Sequence, residues 1–182
     1  MKKIFMKISI AIILIILVVY SDMFDRGLLQ KKYMPVDEVA EFYLQENVNK
    51  IQTAFEDNFD NPKYKFPRSE VHKIKVLKNV PFLSRLSTVT ITDESKIDYI
   101  ITFFNDPKNF DWGETTWALN ESNYIFRFYN ENDIKVGEIW LCSDHCSNIE
   151  SIPFSPNMKF GGISEIGKDN MDLILNKIVR PL

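Results

Sequence analysis

The only two cysteines of the chain stand four residues apart, in Cys142-Ser-Asp-His-Cys146. In an extended strand their Cα atoms would lie about 13 Å apart, beyond the ~7 Å that a disulfide spans. Ser143-Asp144-His145 is turn-forming sequence, so a turn here would let Cys142 and Cys146 pair. A loop this short gains little closure entropy, so such a bond would act as a local clip on a turn. Unpaired structural thiols are one alternative and zinc is another. Cys142, His145 and Cys146 offer three zinc ligands where a structural site takes four, and His72 is the one other histidine. A redox pair would be expected as C-x-x-C opening a helix, whereas this is C-x3-C after a strand pattern.

Carboxylates form a second group. Asp106, Asp111, Glu114 and Glu121 gather around Asn109-Phe-Asp-Trp-Gly-Glu114. Two such acids beside Trp112 could flank a glycosidic bond, and Asp111, Glu114 and Glu121 define the enzymatic alternative. Acidic chains also scatter carboxylates through loops, and that plainer reading is preferred. The sequence holds no G-x-S-x-G, H-E-x-x-H or phosphate-loop motif. Two histidines leave little material for a nucleophile–base device. No cofactor is expected.

The third group is cationic. Lys63, Lys65, Arg68, Lys73, Lys75 and Lys78 crowd 16 residues that contain one acid, Glu70. Lysines alternating along a strand usually mark a solvated or edge-guarding face. The functional reading is a patch that docks an acidic protein surface or an anionic polymer through Lys73, Lys75 and Lys78, and the loops around Trp112 and Cys142–Cys146 are a second candidate binding surface.

What positions these groups begins at the N-terminus. Lys2, Lys3 and Lys7 precede an apolar run of 13 residues, Ile8 to Tyr20. Alone it would make about 20 Å of helix, the length of a signal-peptide core. Counted from Ile4 to Phe24 it covers 21 residues and approaches the ~30 Å of a hydrocarbon core. There is no Ala-x-Ala site, so an uncleaved signal-anchor is preferred to a leader cleaved near Ser21. The lysine cluster keeps the N-terminus inside, which would place the body outside a cytoplasmic membrane. Cleavage would instead release it to the periplasm or the medium.

With the three leader lysines set aside from the 22 basic residues, 19 remain against 25 acidic ones, a net of −6. Such a body has no general attraction to nucleic acid. The expected organisation is a signal-anchor over 1–24, a juxtamembrane linker over 25–34 and a single domain over 35–182. Pro35 and Asp37-Glu38 suggest a helix start, and Leu44, Val48, Ile51, Phe55 and Phe59 form a helical stripe ending before Pro62.

The period then becomes two around Ile74 and Val76, with Lys73, Lys75 and Lys78 interleaved. Strands are expected over 87–91, 115–119, 124–129 and 134–142, with an edge strand over 149–154 that Pro153 limits. Thr92-Asp93 should cap a helix carrying Ile97, Ile100, Ile101 and Phe104. A final helix should run from Lys168 to Val179, after punctuation at Gly161-Gly162.

The fold class expected is α+β, a mainly antiparallel sheet with helices packed on one face, preceded by the apolar transmembrane or signal helix. The function expected is a non-enzymatic protein-interaction module in a bacterial-type envelope. Its partners would be a bilayer, through the N-terminal helix, and a protein. An inhibitor or immunity-like protein fits by analogy of size and location alone.

Overall fold

The computed structural model describes residues 2–25, 48–57, 61–62, 64–82, 86–112, 122–143 and 149–179. The expected linker beyond Asp25, the helix start at Pro35 and the strand over 115–119 lie outside these residues, and Asp25 itself is helical.

Helix α1 (Lys2–Asp25) contains an 18-residue stretch, Lys7–Phe24, long and apolar enough to cross a membrane or to serve as a signal sequence. Its side chains from Lys7 to Tyr20 are exposed, and near its C-terminal end Asp22 is buried against the body.

The body is built on five antiparallel strands in the order β2-β1-β4-β5-β6: β1 (Lys73–Lys78), β2 (Val89–Ile91), β4 (Tyr124–Tyr129), β5 (Lys135–Leu141) and β6 (Ile149–Ile152). Strands β4 and β5 are the expected hairpin across Asn130–Asp133. Strand β6 is an edge and stops one residue before Pro153, as a residue without an N–H requires.

Strand periodicity sends Ile74, Val76, Phe126, Phe128, Ile139, Leu141 and Ile149 to one face. Helices cover that face. In α3 (Glu94–Asn105), Ile97, Ile100, Phe103 and Phe104 turn toward it, and α5 (Glu165–Leu173) with its π-helical continuation (Ile174–Val179) adds Met171, Ile174 and Leu175. Phenylalanines interlock the layers: Phe66 meets Phe128 edge-on at 4.9 Å, and Phe104 meets Phe126 at 5.6 Å and Phe103 at 5.2 Å. Burying each ring contributes about 1.5–3 kcal/mol before edge-to-face terms. The fold is therefore the expected α+β class.

Helix starts follow capping chemistry. Asp93 accepts from the Lys96 N–H at 3.2 Å, and Ser164 accepts from the Gly167 N–H at 3.0 Å. The latter cap starts α5 at Glu165, earlier than the expected Lys168. The end of α3 is buried, where unpaired carbonyls would be costly. Asparagine amides satisfy them: Asn105 donates to Ile101 O at 2.9 Å, Asn109 to Phe103 O at 2.9 Å and Asn157 to Phe104 O at 2.7 Å. The Asp106 N–H donates to Thr102 O at 3.0 Å.

Three features depart from expectation. The aromatic segment at 109–114 is not simply a loop, because β3 (Phe110–Trp112) pairs with β7 (Gly161–Ile163) in a second, two-stranded sheet. Gly161-Gly162 is thus strand, not punctuation. A Cβ at Gly161 would lie 2.9 Å from Phe110 Cβ and 2.8 Å from Asn157 O, so only glycine permits this approach beside the short α4 (Pro156–Phe160). The lysine alternation also breaks. Leu77 shares the face of Lys73 and Lys75, packed with Ile125 and Trp140, while Lys78 has the opposite parity. Finally, strict alternation over 134–142 predicts Val136 on the face of Glu138 and Trp140, but beside a register shift between Phe128 and Tyr129 it packs against the helix-covered core.

Candidate functional site

The sheet face away from the helices holds two unlike regions. Leu77, Ile125 and Trp140 form a small buried cluster with Ile152 packed on it. Toward the β4–β5 turn the same face becomes charged, with Lys75, Arg127 and Glu138 in successive register on β1, β4 and β5. Lys73 lies beside Tyr129 one register step on, and Lys135 follows on β5.

This charged end is ordered by its own pairs. Lys73 donates to the Asp133 carboxylate in the turn, and both Lys73 and Lys75 hold their Nζ over the Tyr129 ring, 5.2 and 5.3 Å from its centre. Buried Glu138 accepts through Oε2 from Arg127 Nε at 2.9 Å and from Lys135 Nζ at 2.8 Å. Glu138 Oε1 is buried without a hydrogen-bond partner among the described residues. The hydrogen bond and charge of Lys73 hold the Asp133 carboxyl below the usual carboxylate range. Burial pushes the Tyr129 hydroxyl up, opposed by the charge of Arg127. Four cations and the two acids they pair with thus gather beside one aromatic ring, with Glu131 exposed in the same turn. Such a surface can grip carboxylates or other anions.

The residues singled out from sequence divide. Lys73 and Lys75 come together on Tyr129. Lys78 ends β1 at its other extremity, five residues and about 17 Å away. Trp112 belongs to the other sheet, where it packs on Phe55 of α2 (Val48–Asp57) with ring centres 5.8 Å apart, and its indole N–H is buried without a hydrogen-bond partner among the described residues. It is part of a packing contact, not of the lysine group. Sequence reasoning missed Tyr129, Arg127 and Glu138. Their period-two spacing places them on one face, but their convergence with the β1 lysines depends on strand order.

The remaining candidates carry less geometry. Asp111 is exposed on β3, and Glu114 and Glu121 lie outside the described residues. Cys142 is buried immediately after β5, and no described cysteine is a free thiol. Cys146 and His145 lie outside the described residues. His72 donates its backbone N–H to Tyr129 O at 2.9 Å and sits 3.5 Å from Glu70, at the end of the sheet opposite Cys142. That separation, about 17 Å along β4, denies a zinc ion at Cys142 a fourth ligand from His72. Among the described residues no group of three or more potential ligands could hold a metal.

A hollow of about 650 Å³ opens between α2 and the end of α3, rimmed by Glu56, Lys65, Asp106 and Lys108. Its rim charges balance, and no described nucleophile–base pair lies in it. No family model, curated protein or solved structure matches this chain.

Proposed function

We propose that this chain is a membrane-anchored, non-enzymatic interaction module. Helix α1 remains attached and crosses a cytoplasmic membrane with its N-terminus inside, and the body over 35–182 works at the outer face as one unit. There the cationic end of the sheet, Lys73 and Lys75 over Tyr129 with Arg127 and Lys135, docks an acidic surface of a protein partner. The observation that carries this reading is the contrast between an α1 that leaves Lys7–Tyr20 exposed and a body whose opposite extremity gathers positive charge. The β1 register puts the cationic group at the end of the strand away from α1, within reach of a partner not embedded in lipid.

A photo-crosslinking side chain at exposed Thr90, the register partner of Lys75, tests the surface in cells. A discrete protein adduct is expected at position 90, lost in the K73E/K75E variant, with none from the same group at exposed Asp98 on α3. Equal adducts at both positions, or one indifferent to the lysine substitutions, would reject the docking surface.

In the same reading Cys142 and Cys146 form a local clip, permitted outside the cytoplasm and supported by the lack of a free thiol among the described residues. Thiol labelling should require reductant. Labelling before reduction would reject the clip.

A further inference from the structure

The chain leaves β1 for β2 through a connection whose described residues include three exposed apolar side chains. Val80, Phe82 and Leu86 are 39%, 57% and 80% exposed. Singly exposed apolar residues are ordinary, but three large ones in one short loop mark a contact surface. Phe82 is also held at a backbone φ of 63°, a left-handed conformation costly for any side chain with a Cβ.

A hydrogen bond ties this backbone to α1. The Phe82 N–H donates to Asp22 Oδ1 at 2.7 Å, and that carboxylate is 7% exposed. Asp22 lies in the last turns of α1, between the exposed apolar side chains of Tyr20 and Phe24. A span from Lys7 to Phe24 is about 27 Å of helix, so Asp22 falls near the outer boundary of a ~30 Å hydrocarbon core. A loop bonded to that carboxylate sits at the same depth, where apolar and aromatic side chains partition favourably. Lys78, exposed at the start of the loop, has the charge and reach for lipid phosphate.

We propose that the β1–β2 loop is a second membrane contact, with Val80, Phe82 and Leu86 entering the headgroup–acyl boundary beside α1 and Lys78 facing the phosphates. This rests on the reading of α1 as a bilayer span and adds to it. The loop fixes which end of the sheet rests on lipid, through Asp22, and so which end is presented outward.

The test uses the full chain in phosphatidylcholine–phosphatidylglycerol vesicles, with and without bromine on the acyl chains. Single tryptophans are added by F82W, by L86W as a second probe, and by E131W in the β4–β5 turn as a probe at the far end of the sheet. Relative to the wild-type chain, the emission added by F82W or L86W should be lost in brominated vesicles, and that added by E131W should persist. If the chain floats with the vesicles but none of the added emission is lost, the loop contact is wrong and the anchor stands. A chain that does not float overturns both.

Discussion

At the scale of single residues, the charged end of the sheet owes its order to Glu138. A buried carboxylate is tolerated only when cations and hydrogen bonds replace its water, and Arg127 and Lys135 do so. Glu138→Ala removes the partner of a largely buried guanidinium and is expected to cost on the order of 3 kcal/mol. Lys135→Ala, at a more exposed position and with Arg127 still on Glu138, should cost less, about 1 kcal/mol. Chemical denaturation of the full chain in detergent measures both. Asp133 is a separate probe. Its folded-state pKa lies below the unfolded one, so the stability from its pair with Lys73 is present above the ordinary carboxylate range of ~3.9 and is lost as pH falls through the lowered value. An NMR titration should find the Asp133 midpoint depressed in the native chain and returned upward in K73M. An unchanged midpoint would show that Lys73 does not set it. The lysines were legible from sequence as a basic cluster. Their aromatic and acidic partners were not, because Tyr129 on β4, Asp133 in the β4–β5 turn and Glu138 on β5 lie some sixty residues away, and no local pattern specifies that this hairpin pairs with β1.

At the scale of elements, local signals were read well where they were long or chemically specific. The Tyr124–Tyr129 and Lys135–Leu141 hairpin shows clear alternation around a turn-rich cluster, and Asp93 announces α3 through its capping oxygen. The β3–β7 pair was invisible because three residues are too few to show a period, and its register is set by two glycines some fifty positions away. The closure of α3 was equally hidden. Asn105, Asn109 and Asn157 read individually as loop or turn residues, yet each donates to a carbonyl at one buried helix end. Asn109 is the hub, since it also accepts from Asn170 at 2.9 Å and its backbone oxygen accepts from the Ser164 N–H at 3.0 Å. Asn109→Ala should destabilise the body by about 1–3 kcal/mol through the orphaned Phe103 carbonyl. Gly167→Ala should be destabilising as well, because a Cβ there would collide with the Asn109 carbonyl. Thermal melts in detergent would show both. A melting point unchanged in either variant would mean that this polar joint does not hold α5 to α3.

At the scale of the whole molecule, the apolar N-terminal helix was the plainest feature of the sequence, since a lysine cluster followed by unbroken aliphatic residues has few structural outcomes. Where the body meets that helix could not be read, because Asp22 and Phe82 are sixty positions apart and nothing in either segment names the other. With that contact in place, one extremity of β1 lies beside the C-terminal end of α1 and the other carries Lys73 and Lys75 against Tyr129 of β4. The interaction reading depends on α1 being retained as a span. The direct measurement is mass spectrometry of the membrane fraction after protease is added outside intact spheroplasts. A membrane-held peptide that begins at Met1 and contains α1 is expected, with the body digested away. A membrane fraction lacking the first 21 residues, or an undigested full chain recovered with the cytosol, would contradict it.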